Sequence, residues 1–143
     1  HDLIFQAEDG VHLDVGTLLR DIATSPAIAP HESNVTVHCT IEPGIMLGPD
    51  RSTPLALIVA ELVTNAVKHA YRDGAAGTVH VDLRRDGTTC ILTVADEGVG
   101  LPAETRRRSG TQIVEALVEQ IGARLVRDTV EGAGTRFTLR FDL

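Results

Sequence analysis

At 143 residues the chain suffices for one domain with a real core, and a hydrophobic share of 43% can fill it. Aromatics at 3% and the absence of tryptophan make that core aliphatic, while a net charge of -7 argues against a general nucleic-acid surface. No apolar run in this stretch is long enough to cross a membrane, and none of it is expected to be a signal peptide. Cys39 and Cys90 lie in strand-like runs without C-x-x-C spacing, so they are expected to be small buried hydrophobes in a reducing compartment. Because it begins at His1 rather than Met, the chain is expected to be a fragment of something larger.

In chain order, residues 1–22 are predicted to be helical with a break near Asp9-Gly10. Val15, Leu18, Leu19 and Ile22 give the helical spacing of the second piece, and Asp14 is placed to cap it. Prolines and short polar residues make 25–34 a loop. Val35, Val37, Cys39 and Ile41 alternate with polar residues as a half-buried strand does. Pro43-Gly44 turns the chain.

Residues 53–72, TPLALIVAELVTNAVKHAYR, are predicted to form the central helix. Thr53 and Pro54 read as its start, a capping hydroxyl followed by a proline where no N–H is needed. Leu55, Ile58, Leu62 and Ala66 form an apolar stripe that Val59, Val63, Val67 and Ala70 widen. One polar strip is left. Glu61, Asn65, Lys68, His69 and Arg72 follow at i, i+4, i+7, i+8 and i+11. The strip fits a core helix with one wet edge. Its composition also suits a metal–polyphosphate ligand: an amide oxygen for a hard cation, cationic groups for phosphate, and a carboxylate to orient water or take a proton.

Beyond a loop at 72–77, Val79, Val81 and Leu83 alternate as a strand, and Arg85-Asp86-Gly87-Thr88 is a hairpin turn. Residues 90–95 return apolar on both faces, as a central strand would. DEGVGLP (96–102) leaves that strand, with Asp96 at its end and Gly98 and Gly100 free to let backbone or ligand approach closely. By itself this is also an ordinary turn. SGTQIV (109–114) opens a helix whose free N–H groups suit phosphate, or which Ser109 simply caps, and Gly122 stops it. Residues 125–130 and 135–141 form a second hairpin across EGAG, with Phe137, Leu139 and Phe141 on one face and Arg136, Thr138 and Arg140 on the other. The elements imply an α+β, two-layer α/β sandwich: a mixed, mostly antiparallel sheet with helices on one face.

Together, ELVTNAVKHAY, DEGVGLP, SGTQIVEALVEQIGARL and GTRFTLRF resemble the N box, the two glycine boxes and the last strand of the histidine-kinase nucleotide-binding domain. That fold, the Bergerat fold, is shared with type II topoisomerases, Hsp90 and MutL. His69 after Lys68 is similar to the HWE-related group of bacterial sensor kinases, and the first 22 residues look like the end of that group's dimerisation helix. The resemblance implies the end of the dimerisation helix, or a linker, at 1–12 and a histidine-kinase-like ATP-binding domain at 13–143. It implies the cofactors ATP and Mg²⁺, with Asn65 on the metal and Glu61 polarising the attacking group or a metal-bound water. Lys68 and His69 would contact phosphates. Asp96 would accept the adenine amino group, Gly98 and Gly100 would make room for the base, Gly110 would start the helix beneath the phosphates, and Thr135 would support the adenine end.

It further implies transfer of the ATP γ-phosphate to a histidine outside this chain, since His1, His12, His31, His38 and His80 have no phosphoacceptor context. The implied partners are the parent's own dimerisation and phosphoacceptor domain, making a homodimer, and a response regulator. The implied location is cytoplasmic, in a parent open to membrane anchoring. The alternatives are an anti-sigma-factor serine kinase of the same fold and an adaptor that has lost nucleotide. Three features depart from the family pattern: Glu97 replaces the usual Asn, the second glycine box keeps only Gly110, and the lid between Gly100 and Gly110 is short, with Arg106, Arg107 and Arg108 in it.

Overall fold

The computed structural model describes residues 4–7, 10–30, 33–71, 75–98, 109–130 and 133–143. Its main sheet has five strands: β3 (Val35–Ile41), β5 (Gly77–Asp86), β6 (Thr89–Asp96), β7 (Arg124–Val130) and β8 (Gly134–Asp142), in the order β3-β5-β6-β8-β7. In this sheet β3 and β5 run parallel, while β5–β6, β6–β8 and β7–β8 are antiparallel. The strand apolar on both faces, β6, is the middle one, as its sequence implies. Gly87, at φ +63°, supplies the left-handed residue that the β5–β6 turn requires.

Register explains the two layers. Val79, Val81 and Leu83 of β5, Cys90, Leu92 and Val94 of β6, and Leu139 and Phe141 of β8 are all buried on one face. The other face carries Arg84, Arg136 and Arg140, all exposed, with Ile91 as the buried exception. On the buried face pack α1 (Val15–Ala23), α2 (Pro49–Asn65) and α3 (Ser109–Gln120), with α2 against both of the others. The architecture is therefore the expected α+β sandwich with a mixed, mostly antiparallel sheet.

The N-terminal segment differs from expectation. In place of the first helical piece there is a hairpin, β1 (Ile4–Ala7) with β2 (Gly10–Asp14), and β2 also pairs with β4 (Met46–Leu47). Val11 and Leu13 alternate with His12 and Asp14, a strand period that competes with the helical spacing and prevails. The second piece is α1, and Asp14 caps it as expected, its Oδ1 accepting from Gly16 N–H at 3.1 Å.

The central helix starts earlier than expected. Its N-cap is Gly48 and its first residue is Pro49, so Pro54 lies inside it. An interior proline costs about 3 kcal/mol. Leu55, Ile58 and Val59 are fully buried immediately after it, at about 1.5–3 kcal/mol each, so burial outweighs the break. The helix then changes character: Ala66–Ala70 form a π-helical turn.

Candidate functional site

The last turns of α2, the face of α3 and the inner face of β7 and β8 enclose a cleft of about 390 Å³. Leu62 and Asn65 form one wall, Val114, Glu115 and Val118 a second, and Leu125, Arg127 and Phe137 the floor. Apolar side chains and the polar Asn65, Glu115 and Arg127 share its lining, a mixture that suits a small polar ligand.

Asn65, expected to face a metal, lies in the cleft wall, half-buried at the end of α2. Glu61, one turn earlier, is also half-buried but does not line the cleft. Lys68, exposed, and His69, half-buried, belong to the π-helical turn. The single strip expected from a 3.6-residue period therefore does not continue past Asn65, because a π turn takes more residues and rotates the side chains beyond it. Arg72 lies outside the described residues.

Asp96 ends β6; it does not line this cleft but stands near its floor through the strand register. Its register partner on β8 is Thr135, two residues from the floor residue Phe137 and on the same strand face. Thr135 is buried, and its hydroxyl accepts from that of Thr129 at 3.4 Å. Asp96 Oδ1 accepts from Gly98 N–H at 2.9 Å, closing a tight turn around Glu97. Burial pushes the Asp96 carboxyl above the ordinary carboxylate range, while the backbone N–H groups of Gly98 and Thr135 pull it back. Gly98 is buried. Gly134, at φ +109°, lies so close to Asp96 that a Cβ there would overlap the Asp96 carbonyl. Gly100 and the lid with Arg106–Arg108 lie outside the described residues, and Gly110 falls in the first turn of α3.

Three residues have a place here that the sequence motifs do not assign to them. Arg127 belongs to the cleft floor; its signal is its phase, since Leu125, Arg127 and Thr129 share the buried face of β7. Phe137 packs against the core, as its strand face implies, and also floors the cleft. Tyr71, which closes the N-box stretch, hydrogen-bonds to the Asp96 turn through Glu97 N–H at 2.8 Å.

Among the described residues no cluster of His, Cys, Asp and Glu could hold a metal by itself, and no helix is long and apolar enough to cross a membrane.

Residues 50–143 match the family described as histidine kinase-, DNA gyrase B-, and HSP90-like ATPases. The chain is 38% identical over 102 residues to the sensor histidine kinase PdtaS of Mycobacterium tuberculosis, covering 66% of this chain and 20% of that one. To the anti-sigma F factor of Bacillus licheniformis it is 38% identical over 53 residues, 37% of this chain and 36% of that one. Among solved structures, the histidine kinase domain of the Erythrobacter litoralis EL346 blue-light activated histidine kinase is similar with a TM-score of 0.83 and 26% identity, over 92% of this chain and 62% of that one. The chain spans only about a fifth of the length of the PdtaS relative. With an α+β sandwich, an Asp–Gly turn at the end of the middle strand and a helix-walled cleft beside it, the chain belongs to the histidine kinase-, DNA gyrase B- and HSP90-like ATPases.

Proposed function

We propose that the chain is the ATP-binding catalytic domain of a bacterial two-component sensor histidine kinase, supplying ATP's γ-phosphate to a histidine on another segment. The observation that carries this reading is the half-buried Asp96 carboxylate beside a cleft with Asn65 in its wall. In the same proposal residues 1–12 connect to an upstream dimerisation and phosphoacceptor domain, residues 13–143 carry the nucleotide, the parent is a cytoplasmic-facing homodimer, and a response regulator receives the phosphoryl group.

The residues present fit ATP with Mg²⁺. A half-buried carboxylate is a strong acceptor for an exocyclic amine, and the buried Gly98 beside it presents no side chain to a planar ring. An amide oxygen suits a hard cation. Mg²⁺, when bound, supplies neutralisation of phosphate charge. In this reading Asp96 accepts from the adenine amino group, and Asn65 offers its amide oxygen to the metal. Lys68 and His69 hold phosphate oxygens, Gly110 starts the helix below them, and Thr135 backs the base. Glu61 orients the attacking imidazole and takes up its proton. Catalysis is then mainly positioning and charge neutralisation.

Binding calorimetry of the chain with ATP and with GTP tests this. ATP should bind and GTP should bind at least tenfold more weakly, because the guanine carbonyl would meet the Asp96 carboxylate. Equal affinities contradict the reading. The stretch shared with the anti-sigma F factor supports a second reading, a serine kinase of the same fold. Acid-stable phosphoserine on a protein substrate would favour it, and acid-labile phosphohistidine the first.

A further inference from the structure

The Tyr71 hydroxyl ties together two parts of the site that are remote in sequence. It donates to the Thr78 carbonyl at 2.7 Å and accepts from the Glu97 N–H at 2.8 Å. Tyr71 directly follows the π-helical turn that carries Lys68 and His69. Glu97 directly follows Asp96, and Thr78 lies on β5 beside Val79, the register partner of Asp96. One phenol oxygen thus links the end of the central helix, the start of β5 and the Asp–Gly turn.

Ring and hydroxyl are held by different means. The half-buried ring packs against the hydrophobic core and sits over Gly77, where a Cβ would overlap it. The hydroxyl is taken by backbone groups on both sides, so its position follows from the chain's own path. In the turn, two successive amides are each held by one side chain: Glu97 N–H by Tyr71, and Gly98 N–H by Asp96 Oδ1 at 2.9 Å. Without the hydroxyl, Glu97, whose side chain is exposed, would give its N–H to water. The turn would then lose its anchor to Tyr71, and the carboxylate would keep only the N–H groups of Gly98 and Thr135.

We propose that Tyr71 is a positioning residue for base selectivity. Through Glu97 it fixes the Asp96–Gly98 turn relative to the phosphate-facing end of α2, so a hydroxyl already engaged by two backbone groups sets the preference for adenine over guanine. The inference rests on Asp96 as the acceptor of the base.

The test uses Tyr71→Phe, which keeps the ring over Gly77, and Asp96→Asn, with ATP and GTP affinities measured by calorimetry well below the melting temperature. Amide hydrogen exchange is followed in the same nucleotide-free proteins. In Tyr71→Phe, exchange at Glu97 N–H should speed up and the ratio of GTP to ATP dissociation constants should fall, each by roughly three- to tenfold, the loss being on the ATP side. A merely structural role would lower the melting temperature and leave the ratio unchanged, and that result overturns the proposal. If the wild type discriminates and Asp96→Asn abolishes discrimination while Tyr71→Phe does not, Tyr71 alone is refuted. If the wild type binds both nucleotides equally, the Asp96 assignment fails and takes the proposal with it. Gly77→Ala keeps the hydroxyl but pushes the ring aside, and it should lower the same ratio; an unchanged ratio there also overturns the proposal.

Discussion

Asp96 and Thr135 face each other across β6 and β8, and Thr135 is 8% exposed, so the carboxylate meets the sheet interior on one side and the cleft region on the other. Burial raises its pKa, and the N–H groups of Gly98 and Thr135 lower it by less. The charged form is therefore the costly one in the folded state. For a carboxyl raised on folding, the stabilising contribution is complete below the unfolded value and is lost as pH rises through the folded one. At pH 7 Asp96→Asn should consequently melt no lower than the wild type, and the variant's advantage should vanish at a pH below the ordinary carboxylate range. ATP affinity should fall by about tenfold or more in the same variant. Scanning fluorimetry across pH with parallel calorimetry checks both. Lower stability at pH 7 together with unchanged ATP affinity would contradict this account of the residue.

The cysteines give a second, independent check on the core. Burial pushes the Cys90 thiol up to about 11, against a smaller lowering from Arg51, and burial also raises Cys39. A thiol reagent acts on the thiolate. At pH 8, Cys90 should stay unreactive in the folded chain and react at once in denaturant, with Cys39 reacting first and more slowly than a free thiol. Rapid modification of both in the native state would show that the β5–β6–β8 face is not packed as described.

Phosphoryl transfer is expected to need a second component. None of the described histidines His12, His38, His69 and His80 has the context of a phosphoacceptor, and His38 and His80 lie on the sheet, their rings 5.8 Å apart. Incubated with γ-labelled ATP, the chain should take up no label, and adding a dimerisation domain with its acceptor histidine should give acid-labile label on that domain. Acid-labile label on the chain itself would contradict this.

Much of the fold is legible in the sequence, for physical reasons. The period-2 alternation in Val79–Leu83 and Phe137–Phe141 reports a sheet with one wet face, and that is the sheet found. The placement of Asp96, Gly98 and Thr135 follows from strand ends and turn chemistry. Sequence and structure part where local signals compete. Pro49 and Pro54 both license a helix start, and the aliphatic run that decides between them acts through tertiary burial. The hairpin at Ile4–Asp14 is masked because its apolar residues also fit a helical spacing. The π turn at Ala66–Ala70 leaves no mark in the pattern, so a 3.6-residue period misplaces the side chains beyond Asn65. Tyr71 closes the N-box stretch, yet its role leaves no signal there, because its partners, Thr78 and Glu97, are backbone groups that no side-chain pattern reveals.

In the proposed function the amide of Asn65 faces a metal-bound polyphosphate. Asn65 is half-buried in the wall of an open cleft, and Ala is the better helix former, so Asn65→Ala should shift the nucleotide-free melting temperature little. Nucleotide at 100 times its dissociation constant stabilises by about 2.7 kcal/mol, or roughly 5–10 °C for a domain of this size. The measurement is a thermal melt of wild type and Asn65→Ala, each with ATP, with and without Mg²⁺. The account predicts a Mg²⁺-dependent rise of that order in the wild type, and a mutant with an unchanged nucleotide-free melt and no Mg²⁺-dependent rise. No ATP stabilisation of the wild type, together with a large drop in the mutant's nucleotide-free melting temperature, would contradict it and make Asn65 a structural residue of an adaptor.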